Sequence, residues 1–382
     1  MAASTPFDCC DAARSASRSA EPISGMSLSI TYLGMDLLRT VRVTRHGRAG
    51  EPTLAAMHAP HRVIDVHAHA VLEAGFGKAG RYGPELTEDG GASTFRVGEF
   101  RMSIVYRGTV FMDVGKRLEL MDGLGIDLQL LSPNPLTFFH GIEPDLALRF
   151  CQVHNDAMAK LVARHPGKLL GAAALPMQDP DAAARELERA VRELGLVAAY
   201  VGTDYPFPLD DPCLDDLYRT FVALDVPLFL HPSSTGGAGM PADPRVHRFN
   251  LDLIVGYAYD ESLAVAALVY GGVLERHPDL DICISHGGGA LPFLMGRYEG
   301  IAKFRDWAPE SVREKGFRHE VRKLWFDAHV EGKGARDLLI EAVGRDRLVY
   351  GTNFGGWDTP TSTSAFDASL TPNAERLLRL GG

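Results

Sequence analysis

The feature that most constrains this chain is a repeat of eight short apolar runs, each separated from the next by a stretch of helical period. The runs are VIDVHAHA (63–70), DLQLLSP (127–133), LLGAAALP (169–176), LVAAYVGT (196–203), VPLFLHP (226–232), LDICISH (280–286), LWFDAHV (324–330) and RLVYGTNF (347–354). Each has the length of a strand and is nearly continuous in apolar residues, as a strand buried on both faces of a parallel sheet must be. Among the helical stretches, DAAARELERAVREL puts Ala184, Leu187, Ala190, Val191 and Leu194 on one stripe, and LDDLYRTFVALD and GARDLLIEAVG repeat the pattern. Several follow Asp or Asp-Pro, which suits a helix start. Eight such units predict an α/β fold of (β/α)8 TIM-barrel type, with its active site at the C-terminal ends of the strands. A doubly wound open sheet fits less well, because polar residues end the first, fifth, sixth and eighth runs alike, as a ring requires.

Composition narrows the class of partner. The 382 residues are 46% hydrophobic and 23% charged, an ordinary globular balance, and the formal net charge of −10 argues against nucleic-acid or anionic-membrane partners. No apolar run in the sequence approaches the roughly 20 residues that span a bilayer. Of five cysteines, Cys151 and Cys283 lie in apolar segments and none has zinc-knuckle spacing, so a reducing cytoplasm is the expected compartment. Residues 1–60 lack sustained periodicity and read as a disordered extension or an over-long start with Met57 as the true beginning. Residues 61–382 then form the barrel.

Two connections exceed plain loops and are expected to be lids over the site. Residues 71 to about 116 follow the first strand and contain TFRVGEFRMSIVYRG, which alternates like a hairpin. Residues 233 to about 257 follow the fifth strand and are rich in Gly, Pro and Ser.

The chemistry sits at the strand ends. Asp65, His67 and His69 share one side of the first strand, since side chains alternate. A His-x-His pair on an apolar strand is costly to bury without partners and fits a metal ion, with Asp65 as a group that orients a ligand. His231 supplies a third imidazole. His286 precedes three glycines that allow close backbone approach, and a proton-transfer role suits it better than ligation. A barrel metal site is expected to place an Asp where Asn353 stands; Asn offers a carbonyl oxygen but accepts no proton. Asp327, His329 and Asp358 are further polar candidates nearby. Arg101, Arg107 and Arg297 are candidate carboxylate clamps, with Arg107 the better fit to a solvated surface residue.

On DVHAHA, FLHP, SHGGGALPFLMGR and YGTNF, the chain from about Val63 to its C-terminus resembles the metal-dependent decarboxylases of the amidohydrolase superfamily. The resemblance is to the aminocarboxymuconate-semialdehyde decarboxylase family and its γ-resorcylate and 5-carboxyvanillate decarboxylase relatives. It implies one divalent metal, zinc or manganese, and small unsaturated or aromatic carboxylates as substrates. His67, His69 and His231 match the family's metal ligands, and His286 its catalytic histidine. Arg101 and Arg297 match arginines that hold the substrate carboxylate, the latter across the interface of a homodimer. Asn353 departs from the family's metal-binding Asp. The expected activity is non-oxidative decarboxylation, with Asn353 a second candidate in catalysis beside His286. A hydrolase or hydratase acting on a lactone, amide, C–C bond or alkene is the alternative, and a barrel that binds without catalysis is a third possibility motivated by Asn353 alone.

Overall fold

The computed structural model describes residues 62–89, 92–233, 246, 248–356, 358–359 and 362–380, with the backbone of Ile30 and Thr31. Apart from those two, the proposed extension over residues 1–60 lies outside the described residues, as do 234–245 and 247 of the connection after His231. Eight strands fall within the eight apolar runs: β1 (Ile64–Ala70), β2 (Leu128–Pro133), β3 (Leu169–Ala173), β4 (Ala198–Gly202), β5 (Leu228–His231), β6 (Ile282–Ile284), β7 (Trp325–Asp327) and β8 (Leu348–Val349). Each pairs in parallel with its neighbours in chain order. The ring is joined where Val66 N–H donates to Tyr350 O (2.9 Å), Phe354 N–H donates to His67 O (3.1 Å), and Ala68 bridges Phe354. This is the (β/α)8 barrel that the alternation predicts.

Helices follow the strands in turn: α1 (Val114–Leu124), α2 (Pro144–Val162), α3 (Pro180–Arg192), α4 (Asp215–Leu224), α5 (Tyr257–Tyr270), α6 (Leu291–Ala302), α7 (Lys333–Val343) and α8 (Thr371–Leu377). Local chemistry sets several of the starts. Asp113 accepts from Lys116 N–H before α1, and Asp179 accepts from Ala182 N–H before α3, whose first residue is Pro180. The period-two alternation then sorts each strand. On β5, Leu228 and Leu230 face outward into a cluster with Leu217, Phe221, Val265 and Leu268 of the helices, while Phe229 turns inward to Tyr200, Cys283 and Trp325. His231, two residues beyond Phe229, is thereby carried to the inner side at the barrel mouth.

The insertion after β1 contains the expected hairpin, Ala92–Val97 against Phe100–Ser103, extended antiparallel by Glu85–Asp89. Its Phe95, Val97 and Tyr106 pack with Leu136, Phe139 and Phe150, so the insertion buttresses the segment that leads from β2 to α2. One sequence expectation needs correction. Asp252–Tyr270 is a single 19-residue helical run of mean hydropathy 1.3, long and apolar enough by length and composition to cross a bilayer. It serves here as the fifth barrel helix: Val265 and Leu268 are in the core, and a buried carboxylate, Glu261, sits mid-helix.

Candidate metal centre and proton-transfer dyad

Three imidazoles converge at the barrel mouth. His67 and His69 come from β1 and His231 from the end of β5; all three are buried, and their nearest ring nitrogens lie within 4.8 Å of one another. Which nitrogen carries the proton follows from the partners on the far side. His231 Nδ1 lies 2.8 Å from Pro232 O, a carbonyl that only accepts, so Nδ1 is the donor. His69 Nδ1 stands 3.2 Å from Pro133 O and 2.8 Å from Ser132 Oγ. His67 Nδ1 is 2.7 Å from the Asp327 carboxylate. With all three protons committed outward, three Nε2 lone pairs face one space. His67 Nε2 and His69 Nε2 are 3.2 Å apart, and His231 Nε2 is buried with no partner among the described residues. Lone pairs so arranged repel unless a cation lies among them, and a neutral imidazole backed by an acceptor is the usual form of a metal-bound histidine.

The surrounding electrostatics agree. Burial, and then the neighbouring imidazoles, hold His67, His69 and His231 well below the ordinary histidine value, so each is a neutral imidazole at neutral pH, with Nε2 free of a proton. Burial likewise raises Asp327. Asp65 is raised to about 6 by burial, against hydrogen bonds from Thr352, Gln129 and His67. It does not touch a ligand ring: Asp65 Oδ1 accepts from His67 N–H at 3.1 Å, and its oxygens also take Thr352 and Gln129. Asp65 therefore fixes the backbone of β1, and Asp327 is the carboxylate that orients His67. Beneath the triad Tyr200 lies about equally far from all three rings, 6.0 Å from His67, 6.1 Å from His69 and 6.0 Å from His231.

His286 stands beside the triad, its ring 4.9 Å from His67 and 5.0 Å from His231. Its backbone adopts φ +47°, and the three glycines after it are all left-handed. At Gly289 an added Cβ would lie 2.4 Å from Ala258 O, so only glycine lets this loop close on α5. That closure brings in a residue the sequence reading missed. Glu261, 1% exposed, places Oε1 2.6 Å from His286 Nδ1, while its Oε2 has no partner among the described residues. Burial pushes Glu261 well above and His286 down to about 4, so both groups favour their neutral forms and the pair shares one proton. The available signal was a lone Glu on the apolar helix YDESLAVAALV.

His329, after β7, also reaches this mouth, 5.8 Å from His286 and 6.1 Å from His67. Burial lowers its pKa, but its bond to Asp358 (Nε2 to Oδ2, 2.8 Å) and the charges of Asp327, Asp358 and Asp65 together outweigh that and raise it overall. Asn353, after β8, lies in the adjoining turn. The two arginines are placed elsewhere. Arg101 is exposed in the hairpin opposite Arg96, and Arg297 is exposed on α6, so neither reaches the triad of its own chain. Arg107 is committed at the surface to Glu73 (2.8 Å) and Glu88 (3.5 Å).

Comparison with known proteins agrees with this geometry. The amidohydrolase family model matches residues 64–379. The chain is 30% identical over 309 residues to γ-resorcylate decarboxylase of Rhizobium radiobacter, covering 77% of this chain and 91% of that one. It is 30% identical over 243 residues to 2-amino-3-carboxymuconate-6-semialdehyde decarboxylase of Dictyostelium discoideum, covering 63% of this chain and 66% of that one. Dihydroxybenzoic acid decarboxylase from Polaromonas sp. JS666, solved with manganese and 2-nitroresorcinol, has the same fold at TM-score 0.66 and 24% identity, over 84% of this chain and 98% of that one. With a barrel of this topology, histidines converging at its mouth and a family match spanning the whole of it, the chain belongs to the amidohydrolase family.

Proposed function

We propose that this chain is a divalent-metal-dependent, non-oxidative decarboxylase of a small aromatic or unsaturated carboxylate. The observation that carries the proposal is the pairing of three neutral imidazoles with a His286–Glu261 dyad at their side, its carboxyl buried. The decarboxylase relatives support the reaction class. His67, His69 and His231 would hold zinc or manganese, both of which imidazole accepts, and the manganese in the Polaromonas enzyme supports that choice. Such an ion supplies Lewis-acid polarisation of substrate oxygens.

The chain's own residues handle the proton. With Glu261 protonated and hydrogen-bonded to Nδ1, the proton of neutral His286 sits on Nε2, which has no partner among the described residues. His286 delivers that proton to the carbon bearing the carboxylate, and Glu261 passes its own to Nδ1. The C–C bond then breaks, its electrons return to the substrate framework, and CO2 leaves. One proton enters per turnover, and bulk water restores it to the dyad. Phe138 lines the mouth against water, lying 6.2 Å from His231. We assign the insertion after β1 the role of a lid, on the strength of its packing against the segment that carries Phe138.

A homodimer fits the outer surface. Val255, Tyr259 and Leu263 recur every four residues from the π-helical turn Asp252–Gly256 into α5, and Phe293, Arg297 and Ile301 do so on α6. Phe293 is 82% and Phe304 83% exposed, an apolar face that a second copy would cover. A cytoplasmic setting suits the free, buried Cys151 and Cys283. The test is CO2 release from metal-loaded protein against a panel of hydroxybenzoates and muconate-type acids, with a chelated control. Chelator-sensitive CO2 is expected; substrate loss without CO2 would replace the proposal with hydrolysis or hydration.

A further inference from the structure

Asn353 stands where the family resemblance sets a metal-binding Asp, and its surroundings give it a different task. Its backbone is left-handed, φ +51°, and its Nδ2 donates to Asp358 Oδ1 at 2.8 Å. The other oxygen of Asp358 accepts from His329 Nε2 at 2.8 Å. The backbone N–H of His329 donates to Asp327 Oδ1 at 3.1 Å, so this imidazole is tied both to the neighbouring turn and to the carboxylate that orients His67. A Cβ at Gly356 would lie 2.6 Å from Asn353 Nδ2, so the turn is open at that point to let the amide lie along it. A continuous line of hydrogen bonds thus runs from the end of β8 to an imidazole at the barrel mouth. An aspartate at 353 would set two carboxylates against each other where an N–H group now bridges.

We propose that Asn353 is a positioning residue that holds His329 through Asp358, and that His329 so held contacts a substrate oxygen. Two independent placements point the same way. The amide nitrogen of Asn353 is committed to Asp358. Within this chain Arg101 and Arg297 lie on the outer surface, and the buried Arg117 is committed to Gln129 Oε1 and His69 O, which leaves His329 as a basic side chain beside the triad that neither belongs to the dyad nor is spent on the backbone. His329 Nδ1 makes no hydrogen bond with any described residue and is free for a ligand. The second half of the proposal rests on the decarboxylase function above; the first half does not.

The test compares Asn353→Gly, which keeps the left-handed backbone, with Asp358→Asn, His329→Gln and Asn353→Asp, each first checked for a folded far-ultraviolet spectrum. Zinc and manganese affinities by chelator competition are expected to stay within about threefold of the parent for Asn353→Gly. A loss of about tenfold or more makes Asn353 a ligand and overturns the assignment. In protein labelled with 15N-histidine, the His329 Nε2–H resonance, identified by its absence in His329→Gln, is expected to shift or vanish alike in Asn353→Gly and Asp358→Asn. An unchanged resonance in Asn353→Gly overturns the anchoring. With the carboxylate that releases CO2, His329→Gln is expected to raise KM by about tenfold at full metal content, and Asn353→Asp to lower kcat/KM by about tenfold. An unchanged KM in the first, or a gain in the second, overturns the contact. If no carboxylate releases CO2, the functional proposal and the substrate contact fail together, while the metal and resonance measurements still decide the anchor.

Discussion

Replacing Glu261 by Gln separates a proton source from a structural prop. The two side chains have the same shape, and Gln can keep a hydrogen bond to His286 Nδ1 across the 2.6 Å contact, so the ring keeps its orientation. What Gln cannot do is hand over a proton. If the dyad delivers the proton to carbon, its loss removes general-acid assistance worth about 10²–10⁴ in rate, or about 3–5 kcal/mol of barrier at 1.36 kcal/mol per decade. KM is expected to change by less than about threefold, because Glu261 reaches the substrate only through His286. Folding should not suffer. Glu261 is 1% exposed, with Oε2 unpartnered among the described residues, so the parent buries an acid that water would otherwise ionise. Its native pKa is raised, so the native state binds the proton more tightly than the unfolded chain does. Stability from this group is therefore complete below the ordinary Glu value of 4.5 and declines as pH rises above it. Gln has no such decline, and the variant should melt no lower than the parent at pH 8. The assay is steady-state CO2 release at matched metal content, with melting temperature measured in parallel. A kcat within fivefold of the parent would falsify the proton relay, and a collapsed melting temperature would show Glu261 to be a fold residue instead.

Three further outcomes are expected. Since burial holds His67, His69 and His231 below the unfolded value of 6.5, the unfolded chain takes up protons that the native state refuses. Metal-free stability is then complete above pH 6.5 and falls as the pH drops below it, by up to about 1.4 kcal/mol per proton per pH unit; a melting temperature that is flat from pH 8 to 5.5 would contradict a buried neutral triad. Gly351→Ala would put a Cβ 2.8 Å from that of His67 and 3.1 Å from that of Asp327. Displacing this pair should weaken zinc binding about tenfold or more in chelator competition, whereas unchanged affinity would mean that the Asp327 contact does not support the ligand. Phe293→Asp should turn a dimer into a monomer in sedimentation equilibrium, and a monomeric parent would reject the apolar face of α5 and α6 as an interface.

The parts of this molecule legible in the sequence are those whose cause is local. Strand periodicity places His67 and His69 a fixed two residues apart, and an apolar run ending in His231 is enough to set the third imidazole at the mouth once the barrel closes. Direction across a helix surface is not local in that sense. Arg297 follows the glycine loop by a few residues and so looks close to the site, but α6 carries it on the same outer stripe as Phe293 and Ile301. Arg101 alternates with its hairpin neighbours and ends opposite another arginine, Arg96. The helical stripe on α3 shows the same limit. Glu186, outside the predicted apolar stripe, is buried because Asn155 and Arg189 reach it from either side. Partnership across elements is what turns a composition oddity into chemistry. A single Glu on an apolar helix, Glu261 beside Asp260, becomes half of a dyad only when Gly289 lets the loop meet α5. An asparagine in place of an aspartate looks like a damaged metal site until Asp358, five residues on, takes its amide and passes the contact to His329. An absent aspartate in the sequence can therefore mark a hydrogen-bonded anchor for a neighbouring imidazole instead of a damaged site.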